Sequence, residues 1–439
     1  MRRNSELDRE PVPGVVPVIS RDHGSDRSRV AWTGREGTAG ARSRREQQPA
    51  DPPSGRPLRV CHLASGDLWA GAEAQLTSLV AELVKVPGLT VQAILFNEGL
   101  PAERLRQTGV PVTVLPESRL STVSLIARLA RHLREPRTDL VHVHGYKQSI
   151  LASLAAVLAG RPCLVRTEHG VDERLSGWAG LRMGLYRRVN RLLARRYDGL
   201  VAVSEDLAAV WRSYLRGRGP AIAVVPNGVL VPAPPDAAAV ARARARLKVS
   251  PDQVLFGTLG RMVPVKGLGN LLEAAALLRG RQPRATFLVA GDGPLRAALE
   301  AQVATLGLQQ SVRFLGFTPD PSGVLSALDV YVLSSLGEGV PMALLEALAL
   351  GRPVVATAVG GVAELLTSGV DALLVPPGAP EALAAACERL LEDPGLRTSL
   401  GAQGRVLVDR HLSAGRMAAE TYEFYCRLVG TTARDKMLA

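Results

Sequence analysis

Residues 330–357 read VYVLSSLGEGVPMALLEALALGRPVVAT, and the fold follows from how this stretch is parsed. Val330–Leu333 is a short apolar run of the kind that makes a buried strand. A Ser/Gly loop follows it. Pro341 then stands where a helix begins, and Gly351 falls just past the end of the apolar segment 342–350. Proline at the start and glycine after the last turn is the usual asymmetry of helix ends. Val354–Thr357 is a second strand-like run. Strand, helix and strand in this order make a βαβ unit, whose two strands lie parallel because the helix carries the chain back to the starting edge.

The same alternation extends in both directions. Strand-like runs at 254–259, 286–290, 312–314 and 372–375 flank the quoted unit, with helical patterns between them. An earlier series has strands at 58–63, 90–96, 110–115, 140–144, 163–167, 199–203 and 221–225, with helices at 71–83, 123–133, 149–158 and from 206. Between the two series, residues 231–236 (VPAPPD) place three prolines where neither pattern can continue. The expected organisation is a disordered tail (1–57), a doubly wound α/β domain (58–232), a linker (233–250), a second such domain (251–410) and a terminal helix within 411–439. In open parallel sheets ligands bind outside the carboxyl ends of the strands, so the residues just after each strand are the informative ones.

Composition narrows the class further. The chain has 439 residues, 46% hydrophobic and 21% charged, which is ordinary for a globular protein of two or three domains. Cys61, Cys163, Cys387 and Cys426 are scattered and form no C-x-x-C pair, which argues against a disulfide framework or a structural zinc site. The formal charge is +12, and 48 of the 53 basic residues are Arg, so each of the five Lys stands out. The tail carries 11 Arg and 8 acidic residues and supplies only +3 of that charge. A basic balance admits nucleic acid, an anionic membrane surface or a phosphorylated substrate as partner. No apolar run approaches the ~18 residues of a membrane-spanning helix, and no signal-peptide core follows Arg2 and Arg3. The expected location is cytoplasmic, at most peripheral at the inner face of the cell membrane.

The loops after the strands hold the candidate chemistry. After 254–259 comes GRMVPVKG (260–267), where Gly260 allows close approach and Arg261 and Lys266 leave the same edge. Arg offers phosphate a planar fork and Lys a compact point charge. After 330–333 come Glu338, Gly339, Val340 and Pro341, then a helix start whose free N–H groups suit an anion, with Glu346 inside the helix. Two carboxylates beside such a start suit hydroxyls of a sugar and a ribose. Gly291 opens GDGP after 286–290, a turn too short of glycines for a dinucleotide fingerprint. Gly360 and Gly361 form another close-approach turn ahead of Glu364. In the first series, Gly71 lies in WAGAE (69–73) and His169 ends TEHG (167–170). A histidine there can hydrogen-bond a substrate hydroxyl. His142 and His144 share one strand face, a metal-like geometry with no evident third ligand, so packing beside the cleft is the preferred reading. No D-x-D, G-x-S-x-G or G-x-x-x-x-G-K-[ST] occurs, so the expected chemistry is metal-independent and needs no cofactor.

Taken together these residues resemble the family-4 retaining glycosyltransferases. The resemblance runs from about residue 58 to 428. It rests on AGAE (70–73), the TEHG histidine, AVSE (202–205), VPNGV (225–229) with Asn227, GRMVPVKG, AGDGP (290–294) and the pair Glu338/Glu346. GRPVVAT (351–357) and VGGVAELL (359–366) complete it. One departure is Ala70-Gly71, where family members often have two glycines. The resemblance implies two facing Rossmann-like domains of the GT-B type, with the terminal helix crossing back onto the first. It implies a nucleotide-diphosphate sugar donor on the second domain and a glycan or lipid-linked acceptor on the first. Arg261 and Lys266 would hold the diphosphate, Glu346 the ribose, Glu338 and its loop the donor sugar, with His169 facing that sugar. Gly71, Asn227, Gly260 and Gly291 belong to the same donor site. The implied reaction is metal-independent hexosyl transfer with retention, in bacterial surface or extracellular polysaccharide synthesis.

Two other readings compete. A nucleotide-sugar epimerase or hydrolase on this architecture would consume donor without an acceptor. A nucleic-acid-binding protein would use the charge, but the chain lacks aromatic interleaving, a helix-turn-helix signal and a zinc pattern, so nucleic acid is not an expected partner. Residues 182–196 (RMGLYRRVNRLLARR) place Leu185, Val189 and Leu192 on one helical stripe among arginines. This pattern fits either a helix lying on an anionic membrane or a core-facing helix with a solvated basic face.

Overall fold

The computed structural model describes residues 56–170, 177–217 and 219–438; the expected disordered tail therefore lies outside the described residues except for Arg56 and Pro57. The first sheet contains β1 (Leu58–Ala64), β2 (Leu89–Leu95), β3 (Val112–Val114), β4 (Leu140–Val143), β5 (Cys163–Glu168), β6 (Gly199–Ala202) and β7 (Ala221–Val224). The second contains β8 (Val254–Leu259), β9 (Ala285–Ala290), β10 (Val312–Gly316), β11 (Val330–Leu333), β12 (Val354–Thr357) and β13 (Leu373–Val375). Their orders are β3-β2-β1-β4-β5-β6-β7 and β10-β9-β8-β11-β12-β13. All neighbours pair in parallel. In each sheet the order reverses beside the first strand, between β1 and β4 and between β8 and β11. A doubly wound sheet opens its ligand crevice at that switch point. The chain thus has two Rossmann-like domains in series, as the alternation predicts.

The strands read as apolar runs because helices cover both faces of each sheet. β4, β6, β11 and β12 are buried along their whole length. Boundaries shift by a few residues from the sequence reading. The helix expected from 149 begins at Tyr146, because Gly145 adopts φ +137° and turns the chain straight from β4 into the helix. Residues 233–250 are more than an extended connector. They include the helix Ala237–Arg246, capped by the Asp236 carboxylate accepting from the Ala239 N–H at 2.6 Å. Arg244 ties this helix to the second sheet by donating to Asp329 at 2.6 Å.

The chain returns to the first domain through a backbone crossing. Val229 N–H donates to the Leu412 carbonyl at 3.0 Å, and Ala414 N–H donates to the Val229 carbonyl at 2.8 Å. The helix Ala414–Leu438 then packs on the helix Gly71–Leu83. Its Tyr422, Phe424 and Tyr425 are buried in the first domain's core. Gly199 of β6 lies under this helix, where a Cβ would come within 2.5 Å of Leu428 and 2.9 Å of Phe424. A separate apolar cluster runs from Leu200 and Val203 of the first domain to Val340 and Met342 of the second, so the domains share a core at the cleft floor.

The helix Gly177–Leu193 does not turn its leucine stripe inward. Leu185 is 59% and Leu192 74% exposed, while Asn190 is buried. Among the described residues, no helix is long and apolar enough to cross a membrane.

Candidate functional site

The residues after β8 and β11 converge. Pro264–Lys266 forms one tight helical turn, and Gly267 at φ +57° ends it and starts the helix Leu268–Arg279. A Cβ on Gly267 would overlap the Ser334 carbonyl, so glycine there lets the two loops touch. The result is a recess lined by Gly260, Arg261, Lys266 and Ser335 above the ends of β8 and β11. Lys266 Nζ donates to Glu338 Oε1 at 2.6 Å, and Ser335 Oγ donates to the same oxygen at 2.6 Å. Lys266 and Glu338 are both largely buried, so the pair is screened less than a surface ion pair. Pro341 precedes the helix Met342–Ala349, and Gly351 at φ +69° follows it. Burial pushes the Glu346 carboxyl up to about 7. Tyr331 lies beneath both carboxylates; burial chiefly, and then Glu338 and Glu346, raise its hydroxyl.

Gly291 was expected beside the donor, and the structure gives it a backbone role. A Cβ there would overlap the Gly260 carbonyl, and one on Gly293 would lie 2.6 Å from the Met262 carbonyl. The GDGP turn therefore braces the loop carrying Arg261.

The first domain meets this site across a narrow cleft. A Cβ on Gly339 would lie 2.5 Å from the His169 carbonyl and 2.9 Å from Val203. Asn227 Nδ2 donates to the Val340 carbonyl at 2.6 Å, so Asn227 clasps the loop after β11 from the opposite domain. Gly71, the first residue of its helix, faces Met342, with 3.9 Å available to a Cβ. Two residues on, Glu73 is shifted upward by burial, opposed chiefly by backbone hydrogen bonds at Glu73 and Ala70 and least by Arg261. His169 Nε2 lies 3.4 Å from His144 Nδ1, and burial, then Arg166, lowers its pKa to about 4.

Sequence reasoning missed two features. The first is His62 of β1, which pairs in register with His142 of β4 and joins His142 and His144 in a buried cluster. The third histidine that seemed lacking is thus present, on the strand that the doubly wound order places beside β4. That order and the outward-inward parity of β1 were the available signals. The second is Glu364, whose carboxylate accepts from the Glu205 and Asp206 N–H groups at 2.8 and 2.7 Å, capping a first-domain helix from the second domain.

Comparisons with known proteins agree with this architecture. Residues 69–230 match the family model described as Glycosyltransferase Family 4, and residues 253–393 match Glycosyl transferases group 1. The chain is 33% identical over 309 residues to the 2-deoxystreptamine glucosyltransferase of Streptomyces kanamyceticus, covering 67% of this chain and 78% of that one. It is 28% identical over 279 residues to the UDP-Gal:alpha-D-GlcNAc-diphosphoundecaprenol alpha-1,3-galactosyltransferase of Escherichia coli, covering 62% and 71%. Among solved structures, Anabaena HepE in complex with UDP and glucose superposes with a TM-score of 0.72 at 23% identity, over 84% of this chain and 99% of that one. The chain belongs to the group 1, family-4 glycosyltransferases, with the GT-B fold. It is an enzyme of the hexosyl-transferring kind, and relatives include enzymes of bacterial lipopolysaccharide synthesis.

Proposed function

We propose that the chain transfers a hexosyl unit from a nucleotide-diphosphate sugar to a glycan or lipid-linked acceptor, with retention and without a divalent cation or other cofactor, in bacterial surface or extracellular polysaccharide synthesis. The observation that carries this reading is the recess at β8 and β11, where Arg261 and Lys266 share a rim. Two fixed cations there neutralise a diphosphate and the charge that grows on it as it leaves. In the free protein Lys266 is held by Glu338. An arriving diphosphate competes for Lys266 and releases Glu338 to accept from sugar hydroxyls, beside the backbone of Gly339, Val340 and Pro341. Glu346 accepts from the ribose, and Gly71 and Gly260 let backbone approach the phosphates. Asn227 and Gly291 act by bracing these loops. His169, neutral at physiological pH, hydrogen-bonds the sugar from the first domain.

In transfer, the bond from C1 to the diphosphate oxygen breaks and a bond from the acceptor oxygen to C1 forms on the same face. The departing oxygen takes the acceptor's proton. The Escherichia coli relative's named substrate, a diphosphoundecaprenol-linked sugar, supports a lipid-linked acceptor. So does the surface of the first domain. Leu185 and Leu192 are exposed there, with Arg188, Arg191, Arg195 and Arg196 exposed on the same segment. The adjoining helix Tyr146–Leu158 exposes Leu154, Val157 and Leu158. Apolar anchors ringed by arginine suit an anionic lipid surface.

The test is a screen for nucleotide-diphosphate release across donors, followed by acceptors. Lys266→Ala and Glu346→Ala should each lower acceptor-dependent release roughly 100-fold, and chelation of divalent cations should not change it. Unchanged turnover in these variants would remove the assignment. Donor consumption without an acceptor would favour an epimerase or hydrolase.

A further inference from the structure

The buried histidines divide into two groups. His142 is saturated on its own: its Nδ1 is hydrogen-bonded to the Tyr425 hydroxyl and its Nε2 lies 2.6 Å from Thr167 Oγ1. The other three form a chain. His62 Nδ1 lies 3.1 Å from His144 Nε2, and His144 Nδ1 lies 3.4 Å from His169 Nε2. The two outer atoms, His62 Nε2 and His169 Nδ1, are buried and have no protein partner.

A neutral imidazole carries one N–H and one acceptor nitrogen. Burial keeps all three rings neutral, since His62 is lowered to about 3, His169 to about 4 and His144 well below the usual histidine range. Each contact in the chain then needs one donor and one acceptor, so the tautomers are coupled. Either all three rings carry the proton on Nδ1, or all three carry it on Nε2. Each arrangement leaves one outer N–H without a protein partner, the second on His62 Nε2 in a fully buried ring and the first on His169 Nδ1 at the cleft end of the chain. A buried donor without a partner is costly. The first arrangement puts the free N–H on His169, a half-buried residue whose backbone carbonyl lies against Gly339, so that a ligand entering the cleft can become its acceptor.

We propose that His144, backed by His62, is a positioning residue that holds His169 as a hydrogen-bond donor to the donor sugar. This rests on the reading of His169 given above. The competing use of the cluster is a metal site made by His62, His142 and His144, whose ligand atoms lie within 4.8 Å of one another. A dication there would be buried with three neutral ligands, and it would have to displace one of the two hydrogen bonds of His142.

Imidazole ¹⁵N spectra of the histidine-labelled full-length protein test the proposal directly. The expected pattern is protonation at Nδ1 on His62, His144 and His169; protonation of His169 at Nε2 would overturn it. His144→Phe removes the link at similar bulk and should leave His169 in mixed tautomers, with kcat down roughly 10- to 100-fold and the acceptor KM unchanged. His144→Asn places an amide N–H near the former Nδ1 and should restore both. A fixed Nδ1–H on His169 in the Phe variant sinks the idea, as does stoichiometric zinc on the purified protein. Where the Phe variant does not fold, the unsubstituted spectrum alone decides. His169→Ala separates the two layers: unchanged turnover there, with the tautomer pattern intact, removes the sugar contact and the purpose of the relay while leaving the rest of the donor site standing.

Discussion

Glu346 illustrates how a single buried carboxylate carries a cost in the free protein. Its pKa rises from the ordinary 4.5 to about 7 because its helix faces the packed cleft floor. A carboxyl held above its unfolded value favours the folded state in its protonated form. Its contribution is therefore fully present below about pH 4.5, and is lost as pH rises through about 7. Moving a carboxylate this far corresponds to at most ~3 kcal/mol, and less where the side chain keeps contact with water. Glu346→Gln has no charge to desolvate. It should melt above the parent at about pH 8, converge with it near pH 4.5, and bind donor more weakly; calorimetry across this range checks it, and a constant difference in melting temperature would remove the account. Lys266 and Glu338, by contrast, each have the other as a charged partner.

At the scale of elements, the domains meet through helix ends and glycines. The helix Glu205–Leu215 begins with Ser204 Oγ accepting from Leu207 N–H at 3.3 Å, and its other free N–H groups go to Glu364 of the opposite domain. A carboxylate at a helix N-terminus is favoured by unpaired N–H groups and by the helix dipole together. Here that preference closes the cleft. Glu364→Ala should cost about 1 kcal/mol and speed hydrogen exchange at the Glu205 and Asp206 amides, with Glu364→Gln intermediate. Exchange unchanged at those two amides would show that the contact does not hold the domains together. Gly339 works alongside it, since a Cβ there would collide with the His169 carbonyl across the same seam, while Gly361 lets its own helix pack under Gly339 within the second domain.

For the whole molecule, the net charge of +12 is spread over a surface far larger than the site. The concentrated share lies on the first domain, where Leu185 and Leu192 stand exposed among arginines. Flotation with vesicles of anionic and of zwitterionic lipid separates the readings of that face. Binding should require anionic lipid, fall steeply with salt, and be lost when Arg188, Arg191 and Arg195 are changed to Glu. Binding indifferent to those changes would remove the membrane role and leave the transferase assignment untouched.

Fold class was legible in the chain itself, and so was the place of the candidate site residues along it. The alternation of apolar runs with helical patterns dictates parallel βαβ units, and such sheets place their loops at one edge; Arg261, Lys266, Glu338 and Glu346 are therefore identifiable by position after a strand. The helix stop at Gly351 and the break at 231–236 are local chemistry and read directly. What the linear order does not encode is proximity between distant segments. His62 and His142 are far apart in sequence and become neighbours through the order β1-β4. Glu364 reads only as a residue following the Gly360–Gly361 turn until the two domains face each other. The leucines of 182–196 have the same period whether their stripe turns inward or outward, because periodicity defines a face without saying what lies against it. Residue type and spacing thus determined which groups stand after the strand ends as candidates, and only tertiary packing decided which partners fix their protons, charges and contacts.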